Sequence, residues 1–104
     1  MEGEMKEKQL QNLSELYKAM SDLTRLKIID ALLDGEATVT QISALVGMSQ
    51  SVISHQLRIL KDRYLVKCRR EGRFTFYSLD DAHVAELLNV GMEHIRHQNR
   101  GESL

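Results

Sequence analysis

The sequence predicts an α+β fold, mostly helical, with one β-hairpin set between a run of helices and a final helix. Three observations carry this. Apolar residues recur at helical spacing at both ends of the chain, two short helical runs flank Gly47-Met48, and two strand-like runs flank Glu71-Gly72. A chain of 104 residues fits one domain, 1–104, with a modest core. With so small a core, pairing of two copies through the terminal helices would contribute to stability.

Residues 1–6 look frayed. From about Glu7 to Met20, the side chains of Leu10, Leu13, Leu16, Tyr17 and Met20 form an apolar stripe on a first helix, partly for the core and partly for a dimer. Ser21 or Asp22 caps a second helix, with Leu23, Leu26, Ile29, Leu32 and Leu33 inward and Gly35 at its end. Thr38 or Thr40 starts a third through Val46, with Val39, Ile42 and Leu45 inward. Gly47 and Met48 make a tight turn, and Ser49 caps a fourth helix to about Tyr64, its Val52, Ile53, Leu57 and Leu60 facing the core. Residues 38–64 thus read as a helix-turn-helix.

Leu65–Arg70 and Arg73–Leu79 read as two strands joined at Glu71-Gly72, a wing over residues 65–79. That register sets Arg70 opposite Arg73, a repulsive pair that makes sense if both meet phosphate. Phe74, Phe76 and Tyr77 are expected to pack beneath the wing, and Cys68 to be a small buried strand residue. A last helix spans about 80–99, so the fold class is a winged helix-turn-helix, dimeric through helices 7–20 and 80–99.

Composition is ordinary, with 42% hydrophobic and 28% charged residues and no Pro or Trp. Cys68 stands alone, so no internal disulfide forms, and MEGEMKEKQ carries no apolar signal segment. No run approaches a membrane span, and a cytoplasmic location is expected. The overall net charge of -1 hides an asymmetry. Between Gln50 and Tyr77, Arg58, Lys61, Arg63, Lys67, Arg69, Arg70 and Arg73 face only Asp62 and Glu71, a net +5; from Ser78 onward the net is -3. Such a concentrated basic segment is the footprint of a phosphate partner, here double-stranded DNA. Candidate contacts are Ser49, Gln50, Ser51, Ser54, His55, Arg58 and Lys61 on the fourth helix, for base edges and phosphates, and Arg70 and Arg73 on the wing. A solvated helix face is the bland reading of the fourth helix alone; the basic-tipped hairpin decides between them.

In the last helix His83, Leu87, Val90, His94 and His97 share one face. His83 and His94 differ by about 20° around the axis but stand about 16 Å apart along it, so no one ion touches both within one helix. If a second copy crosses antiparallel, His83 of one comes opposite His94 and His97 of the other, with Leu87 and Val90 near the dyad. Asp81, at the helix cap, completes a nitrogen and oxygen set suited to tetrahedral zinc. The competing reading is a dimer helix with solvated histidines; three on one face with an offset aspartate favour the metal site.

With these residues in view, the chain resembles the ArsR/SmtB family of bacterial metal-responsive repressors, from the first helix to His97. SQSVISHQLRILKDRYLVKCRREGRFTFYSL is similar to that family's recognition helix and wing. DDAHVAELLNVGMEHIRH resembles the branch that senses zinc or cobalt at the C-terminal dimer helix. The resemblance implies an aspartate and a histidine from one protomer with two histidines from the other, here Asp81, His83, His94 and His97. Members sensing arsenic, cadmium or lead use cysteines near the third helix or N-terminus, whereas GEATVTQIS has none.

The expected function is a homodimeric repressor that binds an inverted repeat when metal-free and releases it on binding Zn(II) or Co(II). The sign of that effect comes from the resemblance. Because the ligands belong to two chains, metal would fix the spacing between recognition helices. His97 is the candidate relay toward the fourth helix and wing. One rival is a winged-helix regulator with no metal response, or with a Cys68 redox response. Another is a zinc hydrolase, which four protein ligands disfavour because they leave no position for water. No small-molecule substrate or membrane partner is expected.

Overall fold

A computed structural model describes residues 1–98. It contains α1 (Glu2–Met20), α2 (Leu23–Ala31), α3 (Val39–Val46), α4 (Gln50–Asp62), β1 (Val66–Glu71), β2 (Phe74–Leu79) and α5 (Ala82–Gln98), with a 3-10 turn at Leu32–Asp34. This is the expected winged helix-turn-helix. The end of the predicted last helix at Asn99 lies outside the described residues.

Short-range chemistry sets the helix boundaries. The Asp22 side chain accepts from the Arg25 backbone N–H at 3.1 Å and starts α2. Thr38 and Gln41 form a reciprocal capping box at α3, so Thr38 and not Thr40 is the cap. Ser49 accepts from Val52 N–H to start α4. Between α3 and α4, Gly47 adopts φ 78°, where a Cβ is disfavoured, and its N–H donates to the Ser43 carbonyl at 2.8 Å. The Ser43 hydroxyl donates onward to the Met48 carbonyl, which closes the turn.

Ile28, Ile29, Ile42, Ile53, Leu57, Leu60, Leu65 and Val66 are fully buried, so α2, α3, α4 and the root of the wing share one core. Val84 and Leu88 of α5, with Ala19 and Met20 of α1, close its sides. Arg25 draws three elements together. Its guanidinium donates to the Ala19 carbonyl at 2.5 Å, the Lys18 carbonyl at 3.4 Å and Gln56 Oε1 at 3.1 Å, tying the end of α1 to α4.

Several expectations need correction. The N-terminal residues are not frayed: α1 begins at Glu2, with Glu2 and Glu4 well placed against the helix dipole. Leu23, Leu45 and Val52, expected inward, are 68%, 67% and 42% exposed, because neighbouring elements cover a narrower stripe of each helix than its apolar periodicity spans. Phe74 does not pack under the wing; it is 55% exposed, and of the three aromatics Tyr77 packs directly on the core cluster. Cys68 is half-buried, opposite Tyr77.

The hairpin register differs too. Glu71 pairs with Phe74 and Arg70 with Thr75, so the turn residues are Gly72 and Arg73. Gly72 takes φ 60° while Arg73 stays out of that region, as in turns with glycine first. A turn at Glu71-Gly72 would have required positive φ at a glutamate. The supposed Arg70-Arg73 pair across the strands therefore does not exist. Ala37 adds a bridge, exchanging two backbone hydrogen bonds with Tyr77 at 2.9 and 2.8 Å, which pins β2 to the segment leading into α3.

Candidate functional site

On α4 the core-facing Ile53, Leu57 and Leu60 leave an outward face that carries Ser49, Gln50, Ser51, Ser54, His55, Arg58 and Lys61, all exposed. The helix is anchored along one side by burial and at its start by the Ser49 cap, so its opposite side stands free as a rigid reading surface. Gln56 faces neither way fully; it is half-buried and engaged by Arg25.

The wing's charges are sorted by register. Lys67, Arg69 and Glu71 share one face with Phe74 and Phe76, while Arg70 lies on the other face opposite Thr75. Arg73 stands at the exposed tip, its guanidinium 5.8 Å from the Phe74 ring centroid. Arg69 is committed elsewhere, to Glu36 and Glu71, and Arg63 lies 3.5 Å from Glu15. Two of the seven basic residues counted from sequence are thus already paired. Among the described residues, no carboxylate lies within ion-pair distance of Arg58, Lys61, Lys67, Arg70 or Arg73.

The second candidate region is the outer face of α5. Asp81 immediately precedes the helix, accepts from the His83 backbone N–H at 2.9 Å, and lies 3.4 Å from His83 Nδ1. Desolvation acts to raise the Asp81 carboxyl, but the His83 N–H, the His83 imidazole and the Val84 N–H outweigh it and hold the group below the usual aspartate value. Its contribution to capping is therefore present at neutral pH and fades as pH falls through that lowered value. His94 and His97 are exposed one turn apart at the other end of α5, and His97 Nε2 is 3.9 Å from Glu93 Oε1. Among the described residues, His97 makes no hydrogen bond to α4 or the wing, so the expected relay has no hydrogen bond to run through within one chain.

Asp81 and His83 are thus brought together, as are His94 and His97, and the two pairs are held apart. Among the described residues, no three potential ligands converge within one chain. A complete set requires a second copy. The donors fit a borderline divalent ion: they are nitrogen and oxygen groups on exposed side chains outside the core, with the carboxylate already ionised and oriented.

Sequence reasoning missed Arg25, Glu36 and Arg69 as structural connectors. Their partners lie 31 and 33 residues away in the chain, and no local pattern announces them.

The arsR family of bacterial regulatory proteins matches residues 22–67, the α2 to β1 segment. A transcriptional repressor SmtB homolog from Synechocystis is 41% identical over 88 residues, covering 85% of this chain and 67% of that protein. The chain belongs to the ArsR family. This ArsR-family chain is also 40% identical over 86 residues to a cadmium resistance transcriptional regulatory protein CadC homolog from Staphylococcus aureus, covering 82% of this chain and 71% of that one. In structure it resembles the homodimeric winged helix-turn-helix DNA-binding domain of a possible ArsR-family regulator from Mycobacterium bovis, with TM-score 0.84, 31% identity and coverage of 95% and 93%. The chain is a DNA-binding transcriptional repressor of this family, not an enzyme. Among the described residues, no helix is long and apolar enough to cross a membrane.

Proposed function

We propose that this ArsR-family chain is a homodimeric, metal-responsive repressor that holds an operator when metal-free and releases it when zinc or cobalt occupies sites shared between protomers. The observation that carries the reading is the outer surface of α5, where Asp81, His83, His94 and His97 stand exposed together with apolar side chains on more than one side of the helix. Val90, Met92 and Ile95 are 65%, 48% and 49% exposed, and on α1 Leu10, Leu13 and Tyr17 are 55%, 41% and 50% exposed. Apolar surface of this extent on so small a chain calls for a partner, and a second copy supplies the missing ligands as well. The cadmium-resistance homolog supports a metal response, although its ion need not be this chain's.

A divalent ion would supply a fixed cross-link between carboxylate and imidazole donors. The protein's own share of the work is positional. Asp81 is oriented by the His83 N–H, and Val84 and Leu88 fix the rotation of α5 against the core, which aims the histidine face at the partner. Because α5 and α4 pack on the same α2, a changed protomer angle moves the two reading helices relative to each other. Half-sites one helical turn apart tolerate only one such spacing.

The test is fluorescence anisotropy on a 30-bp duplex that the chain itself selects from a randomised pool, with zinc and with chelator. Zinc is expected to weaken binding by about tenfold or more, within the ordinary range of coupling between sites. Equal affinity in both conditions would overturn the metal response and leave the operator binding intact. On the same duplex, changing Arg70 and Arg73 together to glutamine is expected to lower the slope of log affinity against log salt by about 1.8, two phosphate contacts' worth. An unchanged slope would remove both from the interface.

A further inference from the structure

We propose that Glu36 is a positioning residue for the wing: by gripping Arg69 it fixes the hairpin's angle to the helix-turn-helix, and so raises operator affinity despite its own negative charge. Each of the three Arg69 guanidinium nitrogens donates to a carboxylate. Nε donates to Glu36 Oε2 at 2.9 Å, Nη2 to Glu36 Oε1 at 2.5 Å, and Nη1 to Glu71 Oε2 at 2.6 Å. Its Cζ also lies over the Phe76 ring, 4.7 Å from the centroid. Two parallel bonds from one fork constrain both distance and orientation, which a single point contact does not.

The location gives the grip its leverage. Glu36 precedes Ala37, whose backbone is bonded to Tyr77 on β2, and Thr38, the cap of α3. Adjacent residues of one short segment therefore hold both strands, Ala37 the second and Glu36 the first. With the Ala37 bridge alone the hairpin could rock about that attachment. A second attachment through Arg69, one ladder step away at the Arg69-Phe76 pair, opposes the rocking. A basic segment would ordinarily assign Arg69 to phosphate, but here two carboxylates occupy its donors and would repel a phosphate brought close. The bond to Arg69 holds the Glu36 carboxyl below its usual value, so the grip is intact at neutral pH.

This inference rests on operator binding and makes a prediction of opposite sign to simple electrostatics. Glu36→Gln removes a negative charge, and Arg69→Lys leaves net charge unchanged but loses the fork. Both are expected to weaken binding to the selected duplex by roughly three- to tenfold, because a loosened wing must be ordered on binding. The salt slope should stay at the wild-type value, since the phosphate contacts themselves are untouched, and the melting temperature should be unchanged for so exposed a pair. Glu36→Gln binding as tightly as wild type or tighter overturns the proposal. So does Arg69→Gln lowering the salt slope by about 0.9, which would make Arg69 a phosphate contact. A wild-type chain that selects no duplex would overturn the operator reading and this one with it.

Discussion

Changing His94 to alanine is expected to abolish the zinc response of operator binding while leaving the metal-free chain's DNA affinity within about twofold of wild type, as for surface changes away from an interface. His94 is exposed on α5, outside the core cluster, and lies on a different element from the reading helix. Its loss should therefore be silent in the fold and in the DNA contacts. Zinc affinity should fall by at least about a hundredfold, since even partners that only orient a ligand are worth ten- to a hundredfold. Competition with a chromophoric chelator measures this directly, and His83→Ala should give the same result from the other end of the helix. A His94→Ala chain that still releases DNA on zinc addition would remove this residue from the ligand set. Loss of metal-free DNA binding in the same variant would instead mean that the α5 face contributes to the operator-competent form itself.

Leu57→Ala should be the most damaging single change to stability, at about 2–5 kcal/mol, because it empties volume at the centre of the core. Leu57 is 1% exposed on the inner side of α4, among Ile53, Leu60 and the α2 isoleucines. Against a total of about 5–15 kcal/mol for a typical domain, a large part of the folded population is at stake. Urea unfolding at fixed protein concentration checks it, and a loss under about 1 kcal/mol would show that the core closes around the gap. The adjacent Arg58 provides the contrast. It points outward, so Arg58→Ala should leave stability within about 0.5 kcal/mol while weakening DNA binding. Two neighbouring residues, separated by about 100° around one helix, thus divide folding from recognition.

That division was legible in the sequence for α4 because periodicity distinguishes inside from outside when one strong apolar stripe is present. It misled at Leu23, Leu45 and Val52, where an apolar residue sits at the stripe's edge and only the neighbouring elements decide whether it is covered. The wing was found from its composition but placed in the wrong register. The signal that would have corrected it was present, since glycine first and arginine second suits a two-residue turn better than glutamate first. The α5 histidines were identifiable as one face from spacing alone, with Asp81 offset from it at the cap. Their division into two separated pairs follows from the same helix geometry.

What the sequence determined by itself was decided within one or two helical turns: the Ser49 cap, the Gly47 turn, the two-residue windows that hold the α2 and α3 caps, and the face on which each candidate histidine stands. Each depends on backbone groups three to five residues apart, so the local chain contains both partners of the interaction. Tertiary structure alone decided that Arg25 joins α1 to α4, that Arg69 belongs to Glu36 and not to the free basic surface, and that the Ala37 segment clasps the wing. Those partners are distant in the chain, and a charge has no identifiable counterpart until packing brings one within reach.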